Sequence, residues 1–363
     1  MSGQDAAASG SPRETAYEPF MGREVRVGPL AELAKGTYRV AVERVAEGRG
    51  DAAAELLEIA VREAEEAYEI YGIWPSVTLD WIREQGVADV DVEPRLARLR
   101  SLIGDDAMDG LSAGWQAYLA ATAEAVDACR RGDPQAPALI EKTRAIWQRT
   151  HDGAMDHMYG VIDIAVRVVG ESRLGDLWNV LMADWYDAHE QRLDVRRQPW
   201  SESARQLQVA ILDGFHAHLT GPERQGDVEI IEEADRLGFR FAPCGSGGRT
   251  MSEQAGHPRT APPFNFAVTE GEHDWAWNTR GICAYCVHCC LLNELVPIDR
   301  LGYPTRVIDP PTWPADREDA RCTWWVYKDP SLVPDAIYHR VGRSPIHRPA
   351  PPEDGQAAGK DGS

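Results

Sequence analysis

The residues with the greatest potential for chemistry are six cysteines in the last third of the chain. Four of them form the run Cys283-Ala-Tyr-Cys286-Val-His-Cys289-Cys290, which contains two overlapping C-x2-C pairs. This spacing lets a tight turn place two thiolates on one metal ion, and a tetrahedral zinc site needs four such ligands. With one cysteine recruited from outside the run, the predicted zinc ligands are Cys283, Cys286, Cys289 and Cys322.

The same spacing leaves other chemistries open. C-x2-C-x2-C with a remote fourth cysteine also resembles the ligation of an iron–sulfur cluster, although the usual following Cys-Pro is missing. A metal-free dithiol redox centre uses a C-x2-C pair as well. Free cysteines also serve as small buried hydrophobic residues, and we assign that role to Cys129, which stands alone on a predicted helix.

A glycine-rich segment, Cys244-Gly-Ser-Gly-Gly-Arg249, precedes the run. Its glycines permit a nest of backbone N–H groups that can hold an anion or stabilise a thiolate. Because six cysteines exceed the four that a tetrahedral site uses, at least one thiol, most simply Cys244 or Cys290, is left for chemistry. We predict Cys244 as the catalytic thiol, with a depressed pKa. Arg249 would hold an anionic group of the substrate, and His288 would carry the proton. The alternative is a tight turn that brings Cys244 to the metal.

A second polar cluster, Thr150-His-Asp-Gly-Ala-Met-Asp-His157, lies in a helical part of the sequence. Its two carboxylates are four positions apart and share a helical face, where carboxylates and imidazoles can bind a metal or shuttle a proton. The Glu-x-x-His pairs of di-iron bundles and the His-Glu-x-x-His of zincins are both missing. A second metal therefore stays an open alternative, and the residues predicted to line a polar substrate pocket are His151, Asp152, Asp156 and His157.

Two kinds of sequence carry these residues. From about Pro29 to Leu237, apolar residues recur at the i, i+3, i+4 spacing of amphipathic helices. This pattern predicts a bundle of six to eight helices, including 77–85, 93–103, 112–131, 136–169, 173–193 and 202–219. After Gly238, glycine, proline and tryptophan become frequent, and the runs 306–308 and 322–327 are typical of short strands.

The predicted fold is mainly α, an N-terminal multi-helix bundle followed by a smaller cysteine-rich α+β metal-binding domain. A change in charge near position 240 supports this division: residues from Phe241 onward hold 12 basic and 15 acidic residues, whereas the whole chain has a net charge of -20. The predicted segments are a disordered tail over 1–17, the helical bundle over 18–238, the cysteine-rich domain over 239–348 and a second disordered tail over 349–363.

The acidic composition narrows the classes of partner. With 38 basic against 58 acidic residues, the surface repels phosphate backbones and anionic lipids, so neither nucleic acid nor a membrane is expected. No window approaches the roughly 18 apolar residues of a membrane span, and the first residues lack the features of a secretory signal. Cysteines in a large chain of this kind are typical of ligands or reactive thiols, so a cytoplasmic location is expected.

The leading functional hypothesis is a small-molecule enzyme with an anionic substrate. A cysteine-bound metal, or a thiolate beside it, would act on a substrate held between the two domains, where pockets tend to form. The competing hypothesis is a non-catalytic ligand sensor or scaffold, in which a closed four-cysteine zinc site only stabilises the fold. An iron–sulfur or dithiol redox protein is a third hypothesis. The sequence indicates no oligomeric state.

Overall fold

The computed structural model describes residues 13–251 and 267–345. This part of the chain is mainly helical and includes a small region of antiparallel sheet, as the sequence predicts. None of its helices is both long enough and apolar enough to cross a membrane. The predicted tail over 349–363 lies outside the described residues.

An antiparallel hairpin begins the described chain, with strands β1 (Thr15–Glu18) and β2 (Arg23–Arg26). Its first strand includes residues 15–17, which the sequence places in a disordered tail. Two ion pairs explain the order: the buried carboxylate of Glu14 lies 2.7 Å from Arg44 and 2.6 Å from Arg49. These contacts fix the hairpin to the helices that follow.

The helical part matches the periodicity of the sequence closely. Helices α6 and α7 begin and end within one residue of the predicted bounds, and each is followed by a glycine with positive φ, Gly132 or Gly170. The predicted stretch 173–193 is divided at Met182. The helices are α1 (Leu30–Leu33), α2 (Thr37–Ala46), α3 (Gly50–Glu84), α4 (Asp89–Ile103), α5 (Asp105–Asp109), α6 (Leu111–Arg131), α7 (Ala136–Val169), α8 (Leu174–Leu181), α9 (Ala183–Leu193) and α10 (Trp200–Ala217).

Helix α3 is longer than predicted because it continues through Pro75. Proline has no N–H to donate and usually interrupts a helix. Pro75 and the neighbouring Trp74 are buried, however, and α3 packs against α6, α7 and α10. Tertiary packing therefore maintains the helix across the missing hydrogen bond.

A four-stranded antiparallel sheet follows the helices. Its strands β3 (Glu229–Glu232), β4 (Arg236–Phe241), β5 (Val307–Asp309) and β6 (Cys322–Tyr327) lie in the order β3-β4-β6-β5. The structure thus confirms the strands predicted near 306–308 and over 322–327. Cys322 pairs with Phe241 in the register of β4 and β6, which brings it near the segment that leads to Cys244.

Short helices surround the cysteine run: α11 (Gly247–Met251), α12 (Val287–Cys290), α13 (Val296–Leu301) and α14 (Asp335–Arg340). A π-helical turn, Leu291–Leu295, joins α12 to α13. Such wide turns are rare and occur often at functional sites. The carbonyl of Asn293 in this turn accepts the backbone N–H of Thr305 at 2.9 Å, so the turn also holds the loop before β5.

The buried apolar residues of the described chain form one contiguous cluster that extends from the helices to the sheet. Trp147 lies at its centre, with its ring 5.8 Å from Trp115 and 5.4 Å from Tyr118, and its N–H donates to the carbonyl of Ala217 at 2.8 Å. Such aromatic pairs contribute about 0.5–1.5 kcal/mol each beyond the burial of their area. The core therefore fixes the end of α10, next to the candidate site.

Candidate active site

A cavity of about 590 Å³ lies between α3, α9, α10 and the segment that carries the cysteine run. Its lining includes Phe20 and Met21, which are half-buried in the turn of the hairpin, and the side chains of Trp74 and Trp185. This volume suits a small organic molecule. One group of lining residues is called the inner end here. It consists of three buried residues and three half-buried histidines: Tyr285, Asn293, Arg306, His189, His218 and His288.

Arg306 is the principal charged group of the inner end. It is 6 % exposed, and no carboxylate among the described residues forms an ion pair with it. Its Nη2 donates to Nε2 of His189 at 3.1 Å, and its guanidinium lies 5.1 Å from the ring centre of Trp324. Its Nε has no hydrogen-bond partner among residues 13–251 and 267–345. Burial lowers the pKa of Arg306 to about 10, so the group is still cationic at neutral pH.

Asn293 adds a hydrogen-bond acceptor to the same end. Its side chain is 1 % exposed, and its Nδ2 donates to the carbonyl of Cys289 at 2.7 Å. Its Oδ1 has no hydrogen-bond partner within the described chain. A buried acceptor of this kind costs about 1–3 kcal/mol when it is left unsatisfied. The inner end therefore offers both a cationic donor and a neutral acceptor to a ligand.

Two histidines of the inner end are held as neutral bases. His189 donates from Nδ1 to the carbonyl of Trp185 at 3.0 Å, and His288 donates from Nδ1 to the carbonyl of Tyr285 at 2.6 Å. Burial lowers the pKa of His189 to about 3 and that of His288 to about 4. The Sγ of Cys289 lies 3.4 Å from Nε2 of His288, which pairs a thiol with a neutral imidazole.

His218 belongs to a buried polar chain that starts on α7. Its Nδ1 lies 2.9 Å from Nε2 of His151 and 3.3 Å from the hydroxyl of Tyr71. The Nδ1 of His151 in turn lies 3.0 Å from Asp152. Burial would raise the pKa of Asp152, but the charges of Arg249 and Arg224 and the bond from His151 hold it well below its usual range. Asp152 is therefore a carboxylate at neutral pH.

Arg249 lies in this buried network and does not line the cavity. The residue is fully buried, and its Nη2 lies 2.6 Å from Asp156 and 3.3 Å from the carbonyl of Asp152. Burial opposes its charge, but the carboxylates of Asp156 and Asp152 outweigh burial and raise the pKa of Arg249. Its partners are thus side chains of α7, in contrast to the open anion site predicted for it.

Three cysteines converge on the glycine-rich segment. Cys244 Sγ accepts the N–H of Gly248 at 2.9 Å, as the predicted nest requires. Burial nevertheless raises the pKa of the Cys244 thiol, in contrast to the depressed value predicted from the sequence. A Cβ atom at Gly247 would overlap the sulfur of Cys286 and lie 2.9 Å from the hydroxyl of Tyr159. This glycine is therefore required by the close approach of the thiol.

Cys283 is the most acidic thiol of the group. Burial opposes its ionisation, but hydrogen bonds from Cys286, Tyr159, the backbone of Tyr285 and Thr250 lower its pKa to about 7. The same contact with Cys283, together with burial, raises the pKa of Cys286 well above its usual value. Ionisation of the buried pair therefore favours Cys283 over Cys286.

The other cysteines of this region are protonated thiols. Cys289 lies within electrostatic range of Cys283 and Cys244, and Cys322 within range of Cys244 and Cys289. Cys290 donates to the carbonyl of Asp274 at 3.5 Å, and burial raises the pKa values of Cys289, Cys290 and Cys322. Across residues 13–251 and 267–345, no group of three or more His, Cys, Asp or Glu side chains is arranged to hold a metal ion. Zinc ligation by Cys283, Cys286, Cys289 and Cys322 stays a prediction.

Metal analysis of the purified chain tests this prediction. We expect a stoichiometric amount of zinc in the parent protein and its loss in Cys286→Ser, with faster proteolysis beyond position 240, because the binding energy of a structural site is also folding energy. Cys129→Ser is the control, since Cys129 is buried on α6 among helices. A metal-free parent protein, or a Cys286→Ser variant with unchanged zinc, would rule out the predicted site. A brown protein would indicate an iron–sulfur cluster.

The structure separates the residues predicted for the substrate pocket. His151 and Asp152 lie directly behind His218, and Asp156 contacts Arg249, whereas His157 lies near Asp109 and Arg100, with its pKa lowered by burial. None of the four lines the cavity. Of the site residues predicted from the sequence, His288 does line the cavity.

Four residues of the inner end were not among the site residues predicted from the sequence: Arg306, Asn293, His218 and His189. A signal was present for Arg306, which is a charged residue at the start of the apolar run 306–308. Asn293, His218 and His189 come from separate elements, so no short motif in the sequence connects them. Comparison of the chain with protein-family models, curated proteins and solved structures finds no match, so the site itself carries the functional assignment.

Proposed function

We propose that the chain is an enzyme that acts on a small organic carboxylate bound in the cavity. The observation that carries this proposal is the Arg306 guanidinium, which is buried at the inner end without a carboxylate partner in the described chain. A buried charge without a partner costs several kcal/mol, and an anionic ligand offsets that cost through charge-assisted hydrogen bonds. The proposal keeps the anionic substrate expected from the sequence, with Arg306 as its anchor in place of Arg249.

Asn293 narrows the class of substrate. Its unsatisfied Oδ1 accepts a hydrogen bond, so a suitable ligand carries an N–H or O–H group next to the anion. A phosphate dianion would instead add acceptor oxygens beside this acceptor. Amino acids and hydroxy acids combine the two groups, and both fit a cavity of about 590 Å³.

The reactive group in this proposal is a thiol or a cysteine-bound zinc ion beside the inner end. Support comes from Cys289, whose sulfur lies 3.4 Å from the Nε2 of His288. Burial raises the pKa of Cys289 and lowers that of His288, so both groups are neutral in the free protein, and the imidazole accepts the thiol proton only as the sulfur bonds to a substrate atom. His288 thus keeps the role of proton carrier that the sequence predicts for it.

Ligand binding by full-length variants tests the proposal. Amino acids, hydroxy acids and dicarboxylates are added to the chain at millimolar concentration, and binding is followed as a rise in thermal midpoint and by calorimetry. We expect Arg306→Gln to weaken binding of the stabilising ligand by about 10–100-fold, the value of a lost hydrogen bond to a charged group. The matched control is Arg300→Gln, because Arg300 lies on α13 in surface ion pairs with Asp187 and Glu190.

Two results would contradict the proposal. If the parent protein and Arg306→Gln bound the same ligand equally, Arg306 would not be the residue that anchors the substrate. If no class of carboxylate bound to the parent protein, the substrate would not be a carboxylate. A carboxylate that binds through Arg306 but is recovered unchanged after prolonged incubation would favour the ligand sensor over the enzyme.

A further inference from the structure

The polar chain from α7 to the cavity has a fixed direction of hydrogen bonding. Asp152 is held as a carboxylate by Arg224, whose two Nη atoms lie 2.8 and 3.1 Å from its oxygens. A carboxylate only accepts, so Nδ1 of His151 carries the proton of their 3.0 Å contact. Nε2 of His151 is then the acceptor of the next bond, in which Nδ1 of His218 is the donor at 2.9 Å.

The end of this chain faces the cavity. Both imidazoles are neutral at pH 7 because burial lowers the pKa of His151 and of His218. Nδ1 of His218 is engaged by His151 and Tyr71, and Nε2 forms no hydrogen bond within the described chain. Since His218 lines the cavity, Nε2 is the nitrogen that is left for a ligand, and it carries a lone pair.

We propose that His218 is a catalytic general base and that His151 and Asp152 are positioning residues that fix its tautomer. This inference rests on the proposed function, because the proton comes from the carboxylate bound at Arg306. The bond between that proton and a substrate atom breaks, its electron pair stays on the substrate, and the proton goes to Nε2 of His218. The imidazolium that forms is stabilised through His151 by the charge of Asp152.

The arrangement differs from a purely structural histidine pair in two respects. First, a carboxylate held by two arginines lies at the far end of this pair, and it favours one tautomer of both imidazole rings. A histidine pair that only stabilises the fold does not need such a carboxylate. A structural pair also has no need to reach a cavity wall, whereas His218 does. The three residues are therefore assigned a common role in proton transfer.

The first test measures the tautomer without any substrate. Full-length protein labelled with ¹⁵N at histidine gives two-bond ¹H–¹⁵N spectra at pH 7, in which the two neutral tautomers and the imidazolium are distinct. We expect His218 to be protonated at Nδ1 and unprotonated at Nε2. Protonation at Nε2, or an imidazolium, would overturn the proposal on the unmodified protein.

The second test uses diethyl pyrocarbonate, which acylates unprotonated imidazole nitrogens, with modified peptides counted by mass spectrometry. We expect His218 of the parent protein to react, and its rate to fall by about tenfold or more in Asp152→Asn, because an amide can donate to His151 and reverse both tautomers. His339, which is exposed on α14, is the internal reference and should react at an unchanged rate. An equal rate for His218 in both proteins would overturn the role of Asp152.

A variant of the base separates this inference from the proposed function. His218→Gln should still bind the carboxylate that Arg306 anchors, within about threefold, but should lose about 100-fold or more of its turnover. Full turnover by this variant would overturn the base assignment and leave the carboxylate enzyme intact. In Arg306→Gln we expect the reverse: carboxylate binding is weakened, whereas the tautomer of His218 is unchanged. Failure of the parent protein to bind any carboxylate would overturn the proposed function and, with it, the assignment of His218 as the base.

Discussion

Replacing Arg249 with leucine is expected to lower the free energy of unfolding by about 3–5 kcal/mol, since removing one partner of a buried ion pair leaves the other charge without compensation. Asp156 is 1 % exposed, and its Oδ1 lies 2.6 Å from the guanidinium. Asp152 lies 3.6 Å away and depends partly on the same charge. Urea denaturation followed by circular dichroism measures the loss.

A double variant distinguishes lost pairing from lost packing. Arg249→Leu combined with Asp156→Leu should recover part of the stability, because a buried pair replaced by apolar residues is often neutral. Arg300→Leu is the surface control, for which a change within about 1 kcal/mol is expected. If Arg249→Leu were as stable as the parent protein, the ion pair would not be a structural element of the core.

Gly245→Ala is the second substitution with a large expected effect. A Cβ atom at this position would overlap the backbone oxygen of His218, so one of the two backbone segments would have to shift. Overpacking of this kind costs about 1–3 kcal/mol. Because the contact is with His218, we also expect its diethyl pyrocarbonate reactivity to change, which links the glycine-rich segment to the cavity.

Gly72→Ala provides a control of opposite sign. Gly72 lies inside α3, where a Cβ atom would meet a side chain of Leu111 at an ordinary distance of 3.8 Å. Alanine is favoured over glycine in a helix by about 0.5–1 kcal/mol, so this variant should be slightly more stable than the parent protein. Equal thermal midpoints for Gly245→Ala and Gly72→Ala would show that the close approach at His218 does not exist in solution.

The helices were predictable because their signal is local. The continuous apolar faces of α6 and α7, with a glycine after each, defined those elements to within a residue. The continuation of α3 through Pro75 was not predictable, because it depends on burial by partners distant in sequence. The strands β5 and β6 could be recognised from their apolar and aromatic runs, but their order in the sheet could not.

The site was predictable only where residues close in sequence act together. His288 and the pairing of Cys283 with Cys286 follow from short spacings around one turn. Cys244 comes from a separate segment, and its approach to this pair does not follow from spacing. The roles proposed for Arg306 and His218 depend on what surrounds these residues. Arg306 has no carboxylate partner in the described part of the chain, and the tautomer of His218 is set by His151 and Asp152 of α7. For the same reason Arg249 was assigned to a ligand, although its counter-ions lie almost one hundred residues earlier in the chain.

The π-helical turn has a consequence for how this region tolerates insertions and deletions. Its width leaves the carbonyl of Asn293 free to hold the backbone of Thr305, the residue before Arg306. Loss of one residue from Leu291–Leu295 would restore an ordinary α-helical repeat and turn the Asn293 carbonyl back into the helix. Homologous chains that keep the site should therefore keep the length of this turn and the asparagine at position 293, whatever their other residues in the turn.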